Sequence, residues 1–118
     1  MTDYITVAEF PAFTKWADKS MTEDDREALL EHLAANPKAG ELITGSGGLR
    51  KVRWSRPSAG KSGGVRVIYY FYDPTVPLYL VTGYAKNVKD DLSAKDLATF
   101  RKLVEAIKAK ARSKAIGR

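Results

Sequence analysis

The sequence predicts an α+β fold, a small and mostly antiparallel sheet packed against helices, and three observations carry that prediction. Runs of β-branched and aromatic residues recur at Tyr4–Phe10, Leu49–Trp54, Gly64–Asp73 and Pro77–Lys86. Thr22 with Asp25, and Ser93 with Asp96, have the spacing of a capping box, in which a hydroxyl and an acid three positions on satisfy the free N–H groups of a helix start. Apolar residues after each of these starts fall at helical spacing: Leu29, Leu30 and Leu33, then Leu97, Phe100, Leu103, Val104 and Ile107.

Taken in order, the opening strand ends at Pro11, which cannot donate to a ladder. A first helix is expected over Ala12 to about Lys19. A second begins after Thr22 and ends before Asn36-Pro37, because proline disfavours a helical predecessor. Thr44-Gly45-Ser46-Gly47-Gly48 reads as a turn. Three strands follow as hairpins, joined by the Ser55–Gly63 loop and the Asp73-Pro74 turn. The last helix begins at Ser93, and the basic tail from about Lys108 to Arg118 is expected to fray. The expected order is β-α-α-β-β-β-α.

At 118 residues the chain, residues 1–118, is expected to form one domain with a single core. It has no cysteine, so disulfides and thiolate metal sites are excluded. No apolar run approaches the length of a membrane span, and the first residues lack the pattern of a secretory signal, so a cytoplasmic protein without membrane contact is expected.

Charge is unevenly placed. Residues 1–41 hold nine acids and four bases, whereas residues 42–118 hold sixteen bases and five acids. No acid lies between Glu41 and Asp73, yet Arg50, Lys51, Arg53, Arg56, Lys61 and Arg66 fall there. Such a concentration predicts a polyanionic partner, since each neutralised phosphate also releases counterions; the plainer alternative is a solubilising surface. Strand alternation puts Val65, Val67, Tyr69 and Phe71 on one face, and Arg66, Ile68 and Tyr70 on the other. Lys51 and Arg53 likewise share a face. If these bases point away from the helices they form a cationic groove on the open side of the sheet, which Lys86 can join. Tyr70, Tyr72 and Tyr84 would supply rings for unstacked bases.

Other chemistries find little support. His32 is the only histidine and lies within the acidic second helix, where an ordinary surface role is the plain reading. Asp90-Asp91 reads as a solvated turn before a capped helix. Gly45-Ser46-Gly47-Gly48 lacks the lysine and hydroxyl residue of a P-loop. No metal or other cofactor is expected, so catalysis would rest on Lys, Arg, Asn and Tyr. RNA permits that, because its 2′-OH is a built-in nucleophile.

The segments Gly47-Gly48-Leu49-Arg50-Lys51-Val52-Arg53, Gly60-Lys61-Ser62-Gly63-Gly64-Val65-Arg66-Val67-Ile68-Tyr69-Tyr70 and Tyr84-Ala85-Lys86-Asn87 resemble the RelE/HigB toxin superfamily, nearest its HigB-like branch. The resemblance spans about residues 29–107. It implies a RelE-like fold and the toxin of a type II toxin–antitoxin system. It further implies metal-independent cleavage of mRNA in the ribosomal A site by 2′-OH attack, and neutralisation by a cognate antitoxin. By the same resemblance Arg66 stabilises the transition state, Lys51 and Arg53 are the paired bases of the preceding strand, and Lys86 completes the catalytic set. Arg50, Arg56, Lys61, Tyr70, Tyr84 and Asn87 are then RNA-binding candidates, and rRNA a further partner. DNA contact is expected only through the antitoxin complex, since no helix-turn-helix is readable. Asp90-Asp91-Leu92 stands where the family carries a terminal tyrosine, so a non-catalytic RNA- or ribosome-binding module of the same fold is the alternative.

Overall fold

A computed structural model describes residues 5–56, 64–86 and 92–116. The elements are β1 (Val7–Glu9), α1 (Pro11–Ser20), α2 (Glu23–Ala35), β2 (Glu41–Leu42), β3 (Leu49–Ser55), β4 (Gly64–Tyr70), β5 (Leu78–Ala85) and α3 (Ala94–Ile116). They build one five-stranded sheet in the order β1-β5-β4-β3-β2. Every pairing is antiparallel except β1 with β5. The architecture is the α+β class the sequence predicts.

Local chemistry explains the boundaries. Pro11 opens α1, where its missing N–H costs nothing. Thr22 caps α2 in a two-way capping box: Asp25 N–H donates to Thr22 Oγ1 and Thr22 N–H donates to Asp25 Oδ2, each at 3.1 Å. Asp96 N–H likewise donates to Ser93 Oγ at 3.0 Å ahead of α3.

The sheet is covered on both faces. Phe13 and Ala17 of α1 with Leu29 and Leu33 of α2 bury Val52, Val65, Val67, Tyr69, Leu78 and Leu80. On the other face Val104 and Ile107 of α3 bury Leu49, Ile68, Tyr70, Val81 and Tyr84. That second layer corrects the expectation of an open face, because α3 closes part of it. It also corrects the expected fraying at Lys108: the helix continues to Ile116, with Ile107 and Ala111 still buried. Burying those side chains offsets the ordering cost that a wholly exposed tail could not meet.

Two further differences have local causes. β2 was not expected, being two exposed residues too short to show alternation. β4 stops at Tyr70, short of Asp73, whose carboxylate accepts from Thr75 N–H at 2.7 Å and shapes the turn into β5. Trp54 is half-buried, stacked on His32 with ring centres 5.3 Å apart.

A bulge in β5 fixes which side chains meet. Tyr69 pairs with Leu80 but Ile68 pairs with Thr82, leaving Val81 as the extra residue. The shift places Gly83 opposite Val67, under the Trp16 ring, and Tyr84 opposite Arg66.

Candidate nucleic-acid interface

The corner of the α3-side face that the helix leaves uncovered is cationic. Alternation along β3 carries Lys51 and Arg53 to this side, and β4 contributes Arg66. Arg53 and Arg66 are directly opposite in the ladder, and Lys51 is opposite Glu41 of β2. Ala39, Glu41, Lys51, Val52, Arg53 and Arg66 line a concavity of about 390 Å³. Directly opposed like charges destabilise a sheet. Among the described residues neither Arg53 nor Arg66 has an ion pair, and the one bond of Arg66 is a 3.4 Å contact from Nη1 to the Val65 carbonyl. Two arginines opposed in the ladder, neither ion-paired among the described residues, form a site that a phosphate would stabilise, since each guanidinium offers a planar fork of donors. Lys86 stands exposed just beyond β5, its N–H 3.4 Å from the Gly64 carbonyl, next to this corner.

The other sequence-predicted residues go elsewhere. Arg50 is on the opposite side of β3 from Lys51, and its Nη1 donates to the Gly40 carbonyl at 2.7 Å and to that of Lys38 at 3.4 Å. Arg56 Nη1 donates at 2.7 Å to the carbonyl of Ser20, at the negative end of the α1 dipole. Both arginines therefore pin backbone, a correction to their expected place at the groove. Tyr70 is 3 % exposed and Tyr84 7 % exposed, so neither offers a ring to an incoming base. Burial beneath α3 pushes the Tyr70 hydroxyl up to about 12. Of the three tyrosines only Tyr72 is exposed, and it lies past the far end of β4. Lys61 and Asn87, like Asp90-Asp91, lie outside the described residues.

Sequence reasoning missed Glu41. Grouped by charge it belongs to the acidic first third of the chain, yet the β2–β3 register sets it among the cations. Its position as the last acid before the acid-free stretch was the available signal.

The chain has counterparts among known proteins. The family model described as the RelE toxin of the RelE/RelB toxin–antitoxin system matches residues 7–116. The chain belongs to the RelE toxin family. A solved structure of E. coli toxin RelE, a double arginine-to-alanine mutant in the free state, is similar with a TM-score of 0.51 at 17 % identity. The match covers 75 % of this chain and 90 % of that one, and at this identity it speaks for the fold alone. Membership of the RelE family implies a cognate antitoxin as partner. No helix among the described residues is long and apolar enough to cross a membrane.

Proposed function

We propose that this RelE-family protein is a ribosome-dependent, metal-independent endoribonuclease that cuts mRNA in the ribosomal A site and so blocks translation in the cytoplasm. The observation that carries the reading is the opposed Arg53–Arg66 pair in a concave, cationic corner of the sheet. In this reading the pair grips the scissile phosphate and stabilises the charge that grows on its oxygens as the 2′-oxygen attacks. Lys51 and Lys86 flank the pair and orient the message, with rRNA meeting the surrounding basic surface. The motifs around Gly47–Arg53 and Gly64–Tyr70 support a place in the HigB-like branch. Arg50 and Arg56 support the groove from behind, by fixing the backbone that carries it.

The test is inducible expression of the wild type and of Arg66→Ala in a bacterium, with 5′-end mapping of a reporter in translated and untranslated form. Cuts at fixed codon positions, confined to translated message and to the wild type, are the expected result. Intact message with normal growth overturns the nuclease reading in favour of a non-catalytic ribosome-binding module.

A further inference from the structure

We infer that Glu41 is the general base of this site, the group that takes the proton from the attacking 2′-hydroxyl. The inference rests on the nuclease reading above and deepens it. An attacking hydroxyl needs a proton acceptor within hydrogen-bond reach. An ammonium or a guanidinium offers hydrogen-bond donors only, whereas a carboxylate oxygen is an acceptor. His32, the one histidine of the chain, is stacked on Trp54 at the α1/α2 face, away from the groove. Among the described residues Glu41 is the one carboxylate lining the concavity with Lys51, Arg53 and Arg66.

Its place in the ladder suits the role. Glu41 is opposite Lys51, and Arg53 stands two residues further along β3 on the same side. Such neighbours lie about 7 Å apart along a strand, so a phosphate held between Arg53 and Arg66 puts its attached ribose within reach of a glutamate side chain. Lys86 stands at the opposite corner, beyond the Arg53–Arg66 rank. Base and acid therefore flank the phosphate on opposite sides, as in-line displacement requires. The 2′-O–H bond breaks with its proton passing to a Glu41 carboxylate oxygen, and the 2′-O–P bond forms. The P–O5′ bond breaks, and the departing 5′-oxygen takes a proton from the Lys86 ammonium. The products are a 2′,3′-cyclic phosphate and a 5′-hydroxyl, with no oxidant, metal or water consumed.

The experiment is single-turnover cleavage of a defined message on programmed ribosomes, by the wild type, Glu41→Gln and Glu41→Ala, each also assayed for ribosome binding. Positioned general-base transfer is worth about 10²–10⁴-fold in rate, so Glu41→Gln should fall by at least about 100-fold with binding unchanged. Added formate or acetate should restore part of the rate to Glu41→Ala and none to Glu41→Gln, a rescue that a merely structural role for Glu41 would not give. An active wild type with Glu41→Gln within about tenfold of it, or with no rescue of Glu41→Ala, overturns the base assignment and leaves the nuclease reading standing. A wild type that binds ribosomes and cuts nothing overturns both.

Discussion

The phenol oxygen of Tyr69 accepts a hydrogen bond of 2.7 Å from the backbone N–H of Gly40, joining the centre of the main core to the residue before Glu41. Burial raises the pKa of this hydroxyl, and the Gly40 N–H is the largest influence opposing that rise. A Cβ on residue 40 would lie 2.8 Å from the Tyr69 ring and 3.0 Å from the Lys51 backbone, so this close approach requires glycine. The core thereby sets the height at which β2 presents its carboxylate to the groove.

Tyr69→Phe should therefore destabilise the fold by about 1–3 kcal/mol, the cost of leaving a buried N–H without a partner. Urea unfolding of the two proteins measures this. An unchanged midpoint would show that the Gly40 amide finds another acceptor.

Gly83→Ala is expected to be more damaging. Its Cβ would fall 2.3 Å from the Trp16 ring, and Trp16 is held against Phe13 with ring centres 5.7 Å apart. Overpacking of this kind costs about 1–3 kcal/mol or more. Thermal melts should show a clear loss, largely relieved by pairing the change with Trp16→Leu.

Arg66→Ala and Arg53→Ala should separate activity from stability. Removing one donor to a developing oxyanion costs about 10²–10³-fold in rate, and relieving the opposed charges should leave the melting temperature equal or higher. Arg50→Ala should instead lower stability by about 1 kcal/mol through its lost backbone contacts, and cost less cleavage than either groove arginine. Parallel melts and cleavage assays decide between the two patterns.

Acid should weaken the packing of the first three elements. Arg26 Nε donates to Glu9 Oε2 at 3.1 Å, and its Nη1 meets Asp18 at 2.7 Å, which ties β1, α1 and α2 together. The Arg26 guanidinium beside Glu9 holds that carboxyl below its ordinary value of 4.5. A depressed carboxyl stabilises the fold above its unfolded value, and that contribution is lost as pH falls through about 4.5 and below. Melting temperature should accordingly drop more steeply between pH 5 and about pH 3 in the wild type than in Glu9→Gln. Parallel curves would show that the bond adds no pH-dependent stability.

What the sequence revealed follows from how far each signal reaches along the chain. Capping at Thr22, the leucines of α2 and the alternation of β3 and β4 are local, and each element forms where they put it, apart from the end of β4, which stops at Tyr70. The fates of Arg50 and Tyr70 depend on contacts distant in sequence, the carbonyls of Lys38 and Gly40 for one and the underside of α3 for the other. A charge count sees Arg50 and Arg53 as equals. Only the register tells the arginine that holds backbone from the one that faces Arg66. Glu41 was missed for the same reason, since a two-residue strand carries no alternation to read.

The β1–β5 pairing has a kinetic consequence. Glu41, Lys51, Arg53, Arg66 and Lys86 all come from one unbroken stretch whose strands are sequence neighbours, so the groove closes through short hairpin loops. Val7, by contrast, meets Leu78 only after the chain has passed through both helices and three strands. Closing that long loop carries the larger entropic cost, so the order of assembly should run from the groove outward, with the N-terminal strand docking last. During synthesis β1 precedes its partner, so it waits for β5 to emerge, and the sheet can be completed before α3 has left the tunnel.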